Sequence, residues 1–577
     1  MRGRPESRRD DTAHQNTCRR CAAPALARPC PSADSAALHL RLCTVCPLQG
    51  HATGIASTEF TLRGDIAPLL IINKALNQVN QFIADFVLNC LPRYPINFQA
   101  MTFTRRKFIQ TTGLAAAGAI VPGKKSFALT EYKSNRPAVS ERHFVSEAVE
   151  NAIKTVKSGV SNKELGWLFE NCFPNTLDTT VYFEEKNGRP DTYVITGDID
   201  AMWLRDSSAQ VWPYLSLIKN DSRLQKLVAG VINRQTYCIH LDRYANAFFK
   251  DGTQESEWKK TDRTEMKPGI HERKWEIDSL CYPIRLAYMY WKITNDTSPF
   301  DSQWKEAISL IVKTFKEQQR KDGNKGPYKF ERETSWATDG VPISGYGYPT
   351  KPVGLINSIF RPSDDVTIFP FLIPSNFFAV ISLRQAAEMV SVISGDQALA
   401  TECSQLAVEV SAALARYAVT THEQFGKVYA FEVNGYGSFH LMDDANVPSL
   451  LSLPYLGAVP ARDPVYRNTR RLVLSAYNPF FFKGRAGEGI GSPHTGTDTI
   501  WPISITIQAL TSDSDEEIRK CLKQLIANHG GTGFMHESFH KDNAEQFTRK
   551  WFAWANTLFG ELVWDLFNRK PALVKNI

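Results

Sequence analysis

Beyond about Ala138, apolar residues recur at three- and four-residue steps through most of the chain, and this period restricts its fold more than any other feature. Each periodic stretch becomes a helix with one apolar stripe, and that stripe is stable only when another helix covers it. Leu280, Ile284, Ala287 and Tyr288 are one such stripe. The spacing predicts helices near 142–158, 161–172, 206–219, 222–242, 276–294, 301–321, 376–395, 397–421, 463–476, 497–511, 514–529 and 550–568. About a dozen helices can close as six hairpins. The expected class is therefore all-α, an (α/α)6 barrel or six-hairpin toroid over residues 138–570, with a pocket built by the inner-ring loops at one end. Small β-hairpin insertions are expected at Asn-Gly, the pair favoured in tight hairpin turns. One joins Thr179–Glu185 to Asp191–Thr196 through Asn187-Gly188, and another places Lys427–Val433 ahead of Asn434-Gly435. Residues 322–375 and 478–496, dense in Gly, Pro, Ser and Tyr, read as long loops of the kind that carry function.

The net charge of +7 belongs to one end of the chain. Residues 1–128 hold 16 Lys and Arg against 7 Asp and Glu, which leaves the other 449 residues at −2. That body has no basic surplus to neutralise phosphates, so no nucleic-acid partner is expected. Six of the eleven cysteines, Cys18, Cys21, Cys30, Cys43, Cys46 and Cys90, lie in the first 90 residues. Cys172, Cys238, Cys281, Cys403 and Cys521 are scattered too widely to form a disulfide framework. No uninterrupted apolar run has the length that spans a bilayer, and the mature form is expected to have no membrane partner.

Thr104-Arg105-Arg106-Lys107-Phe108-Ile109, the weakly apolar Gly113 to Val121, and Ser126-Phe127-Ala128 read in order as a twin-arginine-type signal peptide over residues 101–128. A basic end stays at the cytoplasmic face while the apolar stretch enters the membrane. The expected location is the periplasm or the exterior. Because a signal belongs at a start, residues 1–100 read as an upstream translation artefact or leader before a true start at Met101. A zinc ribbon on Cys18-x-x-Cys21 and Cys43-x-x-Cys46 is the rival, although no strand pattern separates the pairs.

Four strings beyond the leader carry chemistry. Thr196-Gly197-Asp198-Ile199-Asp200-Ala201-Met202-Trp203-Leu204-Arg205-Asp206-Ser207 places an indole beside a guanidinium and a carboxylate, which suits a pyranose with one apolar face and several hydroxyls. Asp206 or Ser207 is also placed to cap the following helix. Phe360-Arg361-Pro362-Ser363-Asp364-Asp365 sets two carboxyls side by side, where mutual repulsion favours holding one protonated as a general acid. Ser375 or Asn376 is the expected cap of the next helix. Gly491-Ser492-Pro493-His494-Thr495-Gly496 precedes a helix carrying Trp501. Gly530-Gly531-Thr532-Gly533-Phe534-Met535-His536-Glu537-Ser538-Phe539-His540 brings Glu537 to a cavity on a glycine-rich turn. His536 and His540 are four apart, but the run reads as loop and no third ligand follows at a standard spacing, so no metal or other cofactor is expected.

The strings TGDIDAMWLRDSSAQVWPYL, KWEIDSLCYP, FRPSDD with LIPSNFFA, GIGSPHTGTDTIW, GFMHESFH and WFAWANTLFGEL resemble, in order, those of glycoside hydrolase family 125. The resemblance spans roughly residues 140–568. It implies an (α/α)6 barrel and an exo-acting enzyme that releases terminal α-1,6-linked mannose from a glycan, with inversion and without a metal. It implies Asp364 as proton donor, with Asp365 the fallback, and Glu537 as base. Trp203, Arg205 and Asp206 are expected to hold the terminal sugar, with Glu276, Asp278, Arg361, Asp365, His494 and His536 as further contacts. Two positions depart from the family pattern: Asp200, expected to retune the pocket, and Pro502, expected to shape a helix start. Three other readings stay open: a different (α/α)6 glycosidase such as a glucosidase or retaining mannosidase, a non-catalytic glycan-binding protein, and a lyase.

Overall fold

The computed structural model describes residues 132–577, so the leader and signal readings lie outside the described residues. Counting helices of eight residues or more, α1 is Glu147–Gly159, α2 Lys163–Cys172, α3 Leu204–Val211, α4 Ser222–Leu241, α5 Ile277–Thr294 and α6 Ser302–Gln318. α7 is Ile373–Met389, α8 Gln397–Tyr417, α9 Pro464–Val473, α10 Pro502–Leu510, α11 Asp515–Ala527 and α12 Ala553–Arg569. Each predicted periodic stretch holds one of them. Their starts follow capping chemistry, in which a side-chain oxygen meets the free N–H groups of the first turn. Ser146 accepts from Val149, Asp221 from Arg223 and Leu224, Asp301 from Trp304, Asp396 from Leu399, and Ser514 from Glu517.

α3 begins earlier than its string suggests. Trp203 occupies the cap position without a side-chain bond, while Asp206 and Ser207 lie inside the first turn. The expected cap at Ser375 or Asn376 is likewise overturned, because α7 starts at Ile373 after Leu372. Asn376 instead latches a loop: it accepts from the Ile356 N–H (2.8 Å) and donates to the carbonyls of Ile356 and Leu372 (both 2.9 Å). Pro502 is the first residue of α10, where a missing N–H costs nothing.

The helices cover one another's stripes. α7 packs between α5 and α8, α3 between α5 and α12, and α10 against α11 and α12. Rings from three of them meet at the centre. Tyr282 of α5 stands edge-on to Phe378 of α7 (5.1 Å) and to Trp554 of α12 (6.4 Å). Ile373–Ser394 is long and apolar enough to cross a membrane, a feature the sequence reading did not expect. One face of it, about half of the segment, is packed between α5 and α8, which accounts for that face's apolar composition as core. Cys172, Cys238, Cys281, Cys403 and Cys521 are all free and buried.

The first hairpin forms as expected, Val181–Lys186 against Arg189–Val194, with Asn187 (φ 53°) and Gly188 (φ 77°) in the left-handed turn. The second expectation splits in two. Gly426–Tyr429 pairs backwards with Val419–His422, and Glu432–Val433 pairs across the Asn434-Gly435 turn with Phe439–His440 and also with Phe371–Leu372. The stretch 478–496 is not all loop, since Phe481–Lys483 pairs with Glu488–Ile490. Two three-stranded sheets carry the site: Met202–Trp203, Ala247–Phe248 and Ile270–Glu272 form one, and Thr499–Ile500, Ser538–His540 and Asn543–Thr548 the other.

Candidate active site

Segments far apart in sequence line one cavity of about 870 Å3. Trp203, Arg205 and Asp206 come from the start of α3, Asp364 from the long loop before α7, His494 from the loop before α10, and Glu537 from the glycine-rich turn.

The first wall depends on Gly197. Its φ is +128°, and a Cβ there would stand 2.4 Å from the Trp551 carbonyl oxygen. That close approach lets the Asp198 N–H reach the same carbonyl (3.2 Å) and the Ala553 N–H reach the Thr196 carbonyl (3.0 Å), which stitches the segment before α3 to the start of α12. The short strand Met202–Trp203 then turns Trp203 onto the cavity, with its ring edge-on to His271 (5.3 Å). The Trp203 Nε1 has no hydrogen-bond partner among the described residues.

Arg205 is buried and anchors the floor. It donates to Glu276 (2.7 Å) and Asp278 (3.1 Å) and lies 3.4 Å from both Asp206 and Asp364. Glu276 and Asp278 are fully buried behind it and do not line the cavity, so their expected role as sugar contacts is corrected to support of Arg205. Burial raises both carboxyls while Arg205 pulls them down, and burial is the larger of the two effects.

Asp364 and Asp365 part company. Asp364 sits in the left-handed region (φ 67°), with its N–H donating to the Arg361 carbonyl (2.9 Å) and its side chain 24% exposed on the cavity wall. Its Oδ1 receives Arg205 (3.4 Å) and Asn246 (3.3 Å). A non-glycine residue held at positive φ is backbone strain of a kind that clusters at functional sites. Asp365 points the other way, buried, and meets His494 Nδ1 at 3.1 Å. It is therefore not on the cavity wall where the expected contact required it. Burial disfavours charge on His494, but Asp365 overrides it and lifts the imidazole to about 9, so a cation faces the cavity at neutral pH.

Glu537 lines the cavity 3.6 Å from Arg549, which also grips Asp198 (2.5 Å). Its neighbour His536 is turned away. That ring stacks on Phe547 (3.7 Å between centroids, 6° apart in plane), while Nδ1 meets the Lys550 carbonyl (3.2 Å) and Nε2 the Thr532 hydroxyl (3.0 Å). His536 thus braces the turn instead of touching a ligand, and burial lowers its pKa. Arg361 is also displaced from its expected role. It donates to the buried Glu432 (2.7 Å), whose other oxygen accepts from the Ile368 and Phe369 N–H groups (3.0 and 3.1 Å). Together they fix the loop after Asp364. Asp200 is exposed and off the cavity wall, so it does not retune the pocket.

Several residues escaped the sequence reading. Asn246 donates to Asp364 and Glu272 and accepts from the Lys274 N–H (3.0 Å). Asp444 is buried and accepts from Ser363 (2.8 Å) and Ser492 (3.2 Å), neighbours of Asp364 and His494 on two different loops. Asn446 lines the cavity with a buried Nδ2 that lacks a partner among the described residues. The adjacent Asp443-Asp444 pair was the available signal, matching the Asp364-Asp365 pair in type. Among the described residues, no group of three His, Cys, Asp or Glu side chains is placed to hold a metal ion.

Comparison with known proteins gives the same outline. A family model described as metal-independent alpha-mannosidase (GH125) matches residues 162–564. The meiotically up-regulated gene 157 protein of Schizosaccharomyces pombe is 43% identical over 456 residues, covering 76% of this chain and 89% of that protein. A metal-independent α-mannosidase of Streptococcus pneumoniae, solved in a non-productive complex with α-1,6-mannobiose, is 41% identical with a TM-score of 0.71, covering 74% of this chain and 100% of that one. With its helical fold, its carboxylate-lined cavity and this extent of similarity, the chain belongs to glycoside hydrolase family 125, the metal-independent α-mannosidases.

Proposed function

We propose that this α-mannosidase is exo-acting, prefers α-1,6 links and works with inversion. The observation that carries the reading is that Asp364 and Glu537, held on separate loops, both face the cavity that Trp203 and Arg205 line. Inversion needs two carboxyl groups with room for a water between them. Asp364 donates its proton to the departing glycosidic oxygen. Glu537 takes a proton from water as that water attacks the opposite face of C1, and Arg549 keeps its carboxylate aimed. The orphan donors on Trp203 and Asn446 serve the hydroxyls of the terminal mannose, whose arrival gives each the hydrogen bond it lacks. The α-1,6 preference draws on the mannobiose bound by the Streptococcus relative.

The helices fit an (α/α)6 toroid. In this reading α3, α5, α7, α10 and α12, several of which pack on one another, form the inner ring with the turn-rich segment 449–458; α2, α4, α6, α8, α9 and α11 form the outer one, and α1 stands outside both. Export through the twin-arginine route remains our reading of residues 101–128, tested by whether Arg105→Lys with Arg106→Lys strands a reporter fusion in the cytoplasm.

The deciding experiment follows hydrolysis of α-1,2-, α-1,3- and α-1,6-mannobiose by proton NMR. β-Mannose should appear first, and fastest from the 1,6 isomer. α-Mannose appearing first would indicate retention, and a faster 1,2 or 1,3 isomer would overturn the linkage preference.

A further inference from the structure

One wall of the cavity mouth is formed by residues 332–339, which no chemical motif in the sequence singled out. This loop is unusually well anchored. Arg332, with a side chain only 2% exposed, donates to Asp262 (2.6 and 2.8 Å), Glu272 (3.0 Å) and Asp339 (3.0 Å), and its guanidinium lies 4.1 Å from the ring centre of Trp258. Lys274 adds a second cation on Asp339 (3.1 Å). Backbone bonds complete the hold: the Arg263 N–H reaches the Glu331 carbonyl (2.6 Å), the Glu333 N–H the Thr261 carbonyl (3.0 Å), and the Val366 N–H the Thr338 carbonyl (2.7 Å). The last ties the loop directly to the segment that carries Asp364.

At the tip of this fixed loop stands Trp336, 68% exposed. Its N–H donates to the Thr334 hydroxyl (3.0 Å), and its carbonyl accepts from Asp339 (3.1 Å) to close a short turn. Most of the indole is in water, yet the residue lines the cavity with Thr334, Ser335 and Trp258. A large apolar ring left in water contributes nothing to the core. It offers a flat apolar face on a support that loses little freedom when something stacks there. A pyranose presents a matching C–H face ringed by hydroxyls, which Thr334 and Ser335 are placed to meet.

We infer that Trp336 is the stacking platform for an aglycone sugar beyond the one attached to the scissile link, so that the enzyme is built for oligomannosides of three or more sugars. The inference rests on the proposed exo-mannosidase reading of the cavity.

The test compares kcat/KM for α-1,6-mannotriose with that for α-1,6-mannobiose in the wild type, Trp336→Ala and Trp336→Phe. The triose-to-biose ratio should fall about three- to tenfold in Trp336→Ala, through KM, and recover in part with Phe. A ratio unchanged in Trp336→Ala overturns the platform. If the wild type cleaves an aryl α-mannoside but neither 1,6-linked sugar, the linkage reading fails, and calorimetric titration of mannotriose into Glu537→Gln, with and without Trp336→Ala, decides the platform. Equal Kd values, or no binding to either protein, overturn it; weaker binding without the indole supports it.

Discussion

Asp364 and Glu537 share the cavity, each beside an arginine, and the roles proposed for them predict different responses to substitution. Asp364→Asn keeps the shape and removes the proton that the proposed mechanism donates. Its activity should fall about 10²–10⁴-fold on substrates with poor leaving groups and much less on an activated aryl mannoside. Glu537→Gln removes the base proposed to activate water and should lose a similar factor on every leaving group. Steady-state rates over a series of aryl mannosides measure this, and parallel slopes for the two variants would refute the assignment. Asp365 offers a control. Its bond to His494 is what lifts the imidazole to about 9, so Asp365→Asn should move any His494-dependent alkaline limb of the pH–rate profile downward without flattening the leaving-group series.

At the scale of elements, the turn at Gly197 joins two segments that the sequence keeps more than 350 residues apart. Gly197→Ala should cost about 1–3 kcal/mol, because the new methyl would press on the Trp551 carbonyl and the backbone sits at positive φ. Urea denaturation measures the loss, and activity should fall further than stability explains as the Asp198–Arg549 pair shifts. The helices and the first hairpin were legible in the sequence because period and turn chemistry are local. The placement of Glu276, Asp278, Arg361 and His536 behind the cavity was not legible. A string shows that such residues travel with a motif, but not which way each side chain turns. Arg549 and Asn246 were missed for a related reason: their partners Glu537, Asp198 and Asp364 come from other segments, and nothing in the local sequence of either marks it as a partner.

At the scale of the whole molecule, one carboxyl should make stability fall as pH rises through neutrality. Glu561 of α12 accepts from Tyr455 (2.9 Å) and Trp212 (3.1 Å), with Arg285 stacked 3.4 Å from the Trp212 ring centre. Burial nevertheless pushes its carboxyl up to about 7, against the pull of Arg285. A group whose folded pKa lies above its unfolded value binds more protons when folded, so its contribution is fullest below about 4.5 and is lost as pH rises through about 7. Thermal melts across that window should show Tm declining in the wild type and declining less in Glu561→Gln. An identical slope in the two proteins would show that Glu561 titrates as an ordinary surface carboxylate.

The stitch between Thr196–Asp198 and Trp551–Ala553 has a consequence in time as well as in space. The wall bearing Trp203 and Arg205 is made in the first half of the described chain, but it is closed by a segment that follows it by about 350 residues. A chain still being synthesised can form most of its helices without owning a cavity. The cavity is therefore incomplete until that segment is present, and a chain that stops short of α12 should be helical and unable to act on any glycan.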